Sequence, residues 1–128
     1  MKLLLDTHVL LWWWYEPAKL SPRAIALVRD RTNPVFVSAA SAWEIATKYR
    51  LGKLPRGGEM IAQWDERLRL DGFSELPILA SHALRAGSLP GEHRDPFDRM
   101  LAAQSLLEGL PLLSSDAAIA GLGAELVW

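Results

Sequence analysis

The chain alternates short, continuous apolar runs with longer stretches whose apolar residues recur at helical spacing. Leu3-Leu4-Leu5 has no polar side of a pleat, so Lys2–Leu5 reads as a strand buried on both faces and ending at Asp6. Thr7–Tyr15 follows as an apolar helix. Ser21-Pro22 sets an N-cap before a proline in the first helical position and opens a helix to about Arg31. Val35-Phe36-Val37, after the Thr32-Asn33-Pro34 turn, reads as a second strand. Ser38 or Ser41 then caps a helix reaching about Leu51, with Gly52 as its stop. Met60, Ile61, Trp64 and Leu68 mark the apolar side of a helix over Glu59–Leu70. Phe73–Leu76 is expected as a strand, Ala80–Ser88 as a short helix and Leu89–Arg94 as a loop. Asp95-Pro96 opens a helix to about Glu108, and Pro111–Leu113 is a further strand. After Ser114-Ser115-Asp116 comes a short helix to about Leu122, and Ala124–Trp128 is the last strand.

Strands alternating with helices require right-handed crossovers and a parallel sheet covered on both faces. The expected fold is therefore α/β, a three-layer α/β/α sandwich around a mostly parallel sheet of four to five strands. At 128 residues the chain fits a single domain over 1–128. That is long enough for a real core, since a domain near 150 residues hides about 70% of its unfolded surface. Half of the residues are hydrophobic and 23% are charged, which is globular rather than disordered composition.

The longest stretch without a charge is the twelve residues Thr32–Trp43, short of the roughly 20 needed to span a bilayer. Asp6 interrupts the apolar start and no small-residue cleavage site follows, so no signal peptide is read. With no cysteine there is no disulfide framework, thiolate zinc site or cysteine nucleophile, and the expected location is the cytoplasm. A net charge of −1 excludes a uniformly basic nucleic-acid binder but not a basic patch beside an acidic pocket.

Six tryptophans include the consecutive Trp12, Trp13 and Trp14. One helix face cannot bury three neighbours, because successive residues step about 100° around the axis. Either they cover a partner surface, or Trp12 and Trp13 pack inward and only Trp14 is partly exposed.

Ligands of open parallel sheets bind beyond the carboxyl ends of the strands, and four acids fall at such positions. Asp6 directly follows the first strand, and Glu44 lies early in the helix after the second. Asp98 lies in the first turn of the Pro96 helix, and Asp116 follows Pro111–Leu113. Gathered at one rim, they form a set of hard oxygen ligands suited to Mg²⁺ or Mn²⁺. Each also has a local reading. Asp6, Asp95 and Asp116 are N-cap candidates, Ser41-Ala42-Trp43-Glu44 reads as a capping box, and Asp98 favours the positive helix end.

His8, His82 and His93 are isolated and read as surface or packing residues. There is no glycine-rich phosphate loop and no Gly-x-Ser-x-Gly elbow, against P-loop, dinucleotide-binding or serine-hydrolase chemistry. Lys48, Arg50, Lys53 and Arg56 fall in nine residues without an acid, and Arg94 and Arg99 flank Asp95 and Asp98. Such cations beside an acidic pocket can hold a nucleic-acid backbone. The local alternatives are a solvated helix end for Lys48 and Arg50, and an Arg99 pair with Asp95.

These residues resemble a family in order along the whole chain. The run from Leu3 through Asp6-Thr7-His8 to Trp12 resembles the opening of PIN-domain proteins, where a strand delivers an Asp followed by Thr or Ser. Ser41-Ala42-Trp43-Glu44-Ile45 resembles the second acidic motif, His93-Arg94-Asp95-Pro96-Phe97-Asp98 continuing to Gln104 the third, and Leu113-Ser114-Ser115-Asp116 the fourth. Ser114 in place of threonine is a mild departure. Among PIN-domain proteins the similarity is closest to the VapC-like toxins of bacterial toxin–antitoxin pairs.

The resemblance implies an endoribonuclease dependent on Mg²⁺, or Mn²⁺, that leaves a 5′-phosphate and a 3′-hydroxyl. It assigns Asp6 and Asp98 as direct ligands, with Glu44 and Asp116 completing the pocket partly through water. Asp95 is a further possible ligand, and Thr7 orients the site by its hydroxyl. Thr7, Lys48, Arg50, Arg94 and Arg99 are the residues expected to meet substrate. The implied partners are RNA, a small antitoxin and a second copy of the chain, with no membrane. The alternatives are a non-catalytic PIN-like module that binds RNA or protein, and a phosphoacceptor receiver domain. A receiver needs paired acids after the first strand, where this chain has Asp6-Thr7.

Overall fold

The computed structural model describes Met1–Trp128 throughout. Along the chain the elements are β1 (Leu3–Leu5), α1 (Thr7–Tyr15), α2 (Pro22–Arg29), β2 (Val35–Ser38), α3 (Ala39–Arg50), α4 (Gly57–Ala62) and α5 (Trp64–Asp71). They continue as β3 (Ser74–Leu76), α6 (Ala80–Ser88), α7 (Pro96–Glu108), β4 (Leu112–Leu113), α8 (Ala117–Ala120) and β5 (Leu126–Val127). A single 3₁₀ turn, Pro17–Lys19, joins α1 to α2. No helix is long and apolar enough to cross a membrane.

The five strands form one sheet in the order β3-β2-β1-β4-β5, and every pairing is parallel. The run Leu3-Leu4-Leu5 is fully buried, as a strand covered on both faces must be. Alternation sends Leu3 and Leu5 into one apolar cluster with Val9, Leu10, Val37 and Ile45. Leu4 enters the other, with Leu101, Ala102, Ala103, Leu112 and Ile119. This is the three-layer α/β/α sandwich expected from the sequence. The chain winds outward from β1 through β2 to β3, then returns to place β4 on the other side of β1. The crevice beyond the carboxyl ends of β1 and β4 is consequently the topological switch point, where sheets of this kind bind ligands.

Three local expectations are corrected. The helix over Glu59–Leu70 is two helices broken at Gln63, whose φ of −110° and ψ of 15° leave the helical region. Met60 of the first half is buried in the main core, and Trp64 of the second packs at its margin with its indole donating to Glu75 at 3.1 Å. The first half also starts earlier, at Gly57, where the close packing of Tyr49 leaves no room for a Cβ, which would lie 2.8 Å from Tyr49 Cβ. Third, Ser38 caps α3, accepting from Ala40 N at 2.9 Å, so Ser41 and Glu44 are not a capping box.

The three consecutive tryptophans fan out to three different supports. Trp12 meets Trp128 edge-on, Trp13 tilts against Phe73, and Trp14 stacks edge-on with Trp64 while donating to Asp71 Oδ2 at 2.8 Å. All three are half-buried against the main core. Neighbours on a helix need not share a face when three different elements surround it.

Candidate active site

Asp6 leaves β1 at the switch point and is 3% exposed. Its Oδ1 accepts from His8 N at 3.4 Å, which makes it the N-cap of α1, and its Oδ2 accepts from Ser114 Oγ at 2.7 Å. Ser114 follows β4 and also accepts from Asp116 N at 3.1 Å, so one hydroxyl ties the loop after β4 to the acid after β1. Thr7 is buried, and its Oγ1 lies 2.8 Å from Ser41 Oγ, joining α1 to α3. One turn beyond Ser41, Glu44 is 2% exposed, with Oε2 on Lys48 Nζ at 2.6 Å and Oε1 without any hydrogen-bond partner. A buried, unpartnered carboxylate oxygen is unfavourable unless something positive reaches it.

Asp98, on the first turn of α7, has Oδ2 2.8 Å from His93 Nε2. Asp95 caps that helix, accepting from Phe97 N at 2.9 Å and Asp98 N at 3.2 Å on Oδ1. Burial pushes the Asp98 carboxyl up to about 6; the His93 hydrogen bond lowers it, and the charges of Asp95, Asp6 and Glu44 raise it further. Asp6 is also raised, first by burial, with Ser114 and His8 opposing and Glu44 adding to it. These carboxylates sense one another's charge, so Asp6, Glu44 and Asp98 lie near one another beyond the carboxyl ends of the strands. No three acidic or histidine side chains converge into a finished ligand set, and each is held by its own protein partner. The free Oε1 of Glu44 and the Asp98 carboxyl, raised chiefly by burial, are groups that a hard divalent cation fits.

Asp116 stands at the edge of this group. It is half-buried and caps α8, accepting from Ala118 N at 2.9 Å. Lys48, half-buried, is paired with Glu44. Arg50 and Arg94 are exposed. Arg99 does not pair with Asp95. Its guanidinium donates to the carbonyls of Ala86 at 2.9 Å, His93 at 3.0 Å and Leu89, pinning the loop before α7.

His93, read from sequence as a packing or surface residue, makes a site contact that sequence reasoning missed, and so does His8, whose Nδ1 lies 4.0 Å from Asp6 Oδ1. The distance of five residues from His93 to Asp98 matches no helical or metal-ligand spacing. Arg99 holds the loop that carries His93 by its backbone carbonyls, and in this fold the imidazole meets the carboxylate.

A parallel α/β sheet with buried carboxylates gathered from β1, α3 and α7 at its switch point defines a class of acidic-pocket α/β proteins. Within that class, a family model for the PIN domain matches residues 3–124, and the chain belongs to the PIN domain family. It is similar to Ribonuclease VapC22 of Mycobacterium tuberculosis, 30% identical over 117 residues, covering 88% of this chain and 85% of that protein. It is also similar to Ribonuclease VapC16 of the same organism, 46% identical over 57 residues, but that match spans only 44% of this chain and 40% of VapC16. The fold is shared with a chain in the crystal structure of VapBC2 from Rickettsia felis bound to a DNA fragment from their promoter. There the TM-score is 0.71 at 15% identity, covering 100% of this chain and 98% of the other. FitAcB from Neisseria gonorrhoeae gives a TM-score of 0.64 at 20% identity, covering 100% and 97%.

Proposed function

We propose that the chain is an endoribonuclease that hydrolyses RNA phosphodiester bonds with Mg²⁺, or Mn²⁺, held by the pocket of Asp6, Glu44 and Asp98. The observation that carries this reading is the buried, unpartnered Oε1 of Glu44 beside two carboxylates whose ionisation the fold opposes. Membership of the PIN domain family and the similarity to two proteins named ribonucleases support it. Asp6 and Asp98 are the direct ligands, with Glu44 and Asp116 completing the set; Asp95 is occupied in capping α7. A bound divalent ion supplies Lewis-acid stabilisation of charge developing on the phosphodiester and an acidified water.

The chain's own residues do the rest. Ser114 and the α1 N-terminus orient Asp6, and His93 fixes the rotamer of Asp98. Glu44, buried with Oε2 held by Lys48 and Oε1 free, would orient or deprotonate the attacking water through Oε1. The exposed Arg50 and Arg94 steer the RNA backbone toward the pocket. In the cell the chain acts as the toxin of a toxin–antitoxin pair and self-associates. The similarity to proteins named VapC supports the first, and exposed leucines on α6 and α7, with Leu84 75% exposed, support the second.

The test is cleavage of a structured RNA by the purified chain, freed of any co-purifying small protein. Cleavage is expected with Mg²⁺ or Mn²⁺, stops on chelation, and is lost in Asp6→Asn. Equal cleavage by Asp6→Asn overturns the assignment. A chain that binds RNA and a divalent ion but never cuts is the non-catalytic module instead.

A further inference from the structure

Two aromatic side chains flank the pocket, each one residue ahead of a site carboxylate. Trp43 precedes Glu44 on α3, and Phe97 precedes Asp98 on α7. Their rings meet between the two helices, with centroids 4.7 Å apart and planes at 77°. Because consecutive helix residues point about 100° apart, Trp43 stands beside the pocket rather than inside it. It is 54% exposed, and it alone of the six tryptophans is among the large exposed apolar side chains. The other five pack against the main core, and two of them also donate their indole N–H, to Asp71 and Glu75.

Leaving a large indole in water is unfavourable, and this one is also held at a fixed tilt by an edge-to-face partner. A rigid, open aromatic face has little entropy to lose when a flat ligand stacks on it. The ligand is indicated by what lies next to it. Glu44 and Asp98 are the groups that would face a phosphodiester, and a nucleotide's base sits one sugar away from its phosphate. In the loop that brings His93 onto Asp98, the exposed Arg94 lines an open hollow of ≈ 620 Å³ with His93, Arg99 and Glu92. Aromatic rings interleaved with cations are the pattern by which proteins hold unpaired nucleotides.

We propose that Trp43, braced by Phe97, is a stacking platform for an unpaired nucleobase next to the scissile phosphate. This deepens the ribonuclease reading above and rests on RNA as the ligand. Stacking tolerates every base, so the platform contributes affinity for unpaired RNA rather than a sequence code.

The experiment compares two probes of equal phosphate charge, a fluorescent single-stranded RNA octamer of mixed sequence and an octamer of abasic ribose phosphates. Binding is followed by anisotropy in the Asp6→Asn background, and KM and kcat for the base-bearing octamer are measured in the otherwise unaltered chain. Trp43→Ala is expected to weaken binding of the base-bearing octamer and raise KM by about tenfold, with kcat nearly unchanged; Trp43→Phe recovers most of the loss. The abasic octamer binds weakly to both and loses nothing more in Trp43→Ala. An unchanged KM and affinity in Trp43→Ala, or an equal loss on the abasic probe, overturns the platform. So does a Trp43→Ala chain that keeps its RNA affinity but loses self-association, since that assigns Trp43 to a protein surface. Trp43-dependent binding without Mg²⁺-dependent cleavage upholds the platform and sinks the ribonuclease reading. Cleavage with Trp43 dispensable does the reverse.

Discussion

Asp98→Asn is expected to make the metal-free protein more stable while abolishing turnover. In the folded chain the Asp98 carboxyl stands near 6 against an ordinary 3.8, chiefly because it is buried. Between those two values the folded state binds more protons than the unfolded state, so stability falls as pH rises through that window. Above about pH 6 the full penalty is present, and below about pH 4 it vanishes. A carboxyl raised this far carries a penalty of about 3 kcal/mol at most, which partial solvent screening of the site reduces to about 1–2 kcal/mol. Asparagine removes the charge but keeps an amide oxygen for His93. The variant is therefore expected to melt roughly 5 °C higher than the unaltered chain near pH 8 in chelator, and at the same temperature near pH 4. Saturating Mg²⁺ reverses the order, since a ligand at a hundred times its Kd adds about 2.7 kcal/mol to the chain that binds it. Thermal melts across this pH range, with chelator and with Mg²⁺, together with a cleavage assay, measure all of this. A variant that is less stable near pH 8 in chelator, or a difference that does not change with pH, refutes the reasoning.

Arg99→Ala removes three bonds to the carbonyls of Ala86, Leu89 and His93, and is expected to cost about 2–4 kcal/mol in urea unfolding and to lower kcat through displacement of His93. Ser38→Ala deletes the α3 cap and strands Gln104 Oε1, which Ser38 Oγ reaches at 2.5 Å. A loss of about 2 kcal/mol is expected, with reduced cleavage because α3 carries Glu44. Trp14→Ala forfeits the Asp71 bond and the Trp64 stack, so the expected loss is about 2–3 kcal/mol by chemical denaturation, with self-association unchanged.

The acids after the strands were legible in the sequence because their positions follow from local rules. A buried strand must end where a charge begins, and a helix N-terminus attracts a carboxylate, so Asp6, Asp95 and Asp116 could be placed without tertiary information. Their double duty was legible for the same reason, and the structure shows all three as N-caps. What bound the site together was not legible. Ser114 to Asp6 spans 108 residues, Thr7 to Ser41 spans 34, and Ser38 to Gln104 spans 66, and no local pattern encodes such partners. Arg99 looked like a phosphate or Asp95 contact because its charge is visible in sequence, whereas the three backbone carbonyls it satisfies are not. The tryptophan triplet failed as a pattern for a related reason. A helix wheel assumes one core direction, and α1 is surrounded by α5, the Phe73 segment and the chain's last residue. The break at Gln63 was hidden because Met60 and Trp64 keep helical spacing across it and both pack against the main core.

Calorimetric titration of Mn²⁺ into the metal-free chain near pH 6 tests the acidic pocket most directly. One saturable site is expected, with protons released as the half-protonated Asp98 ionises, so that the heat varies with the ionisation enthalpy of the buffer near pH 6 and much less near pH 8. Asp6→Asn is expected to abolish the site. Absence of saturable binding, or binding that Asp6→Asn leaves intact, contradicts a metal centre built on Asp6, Glu44 and Asp98.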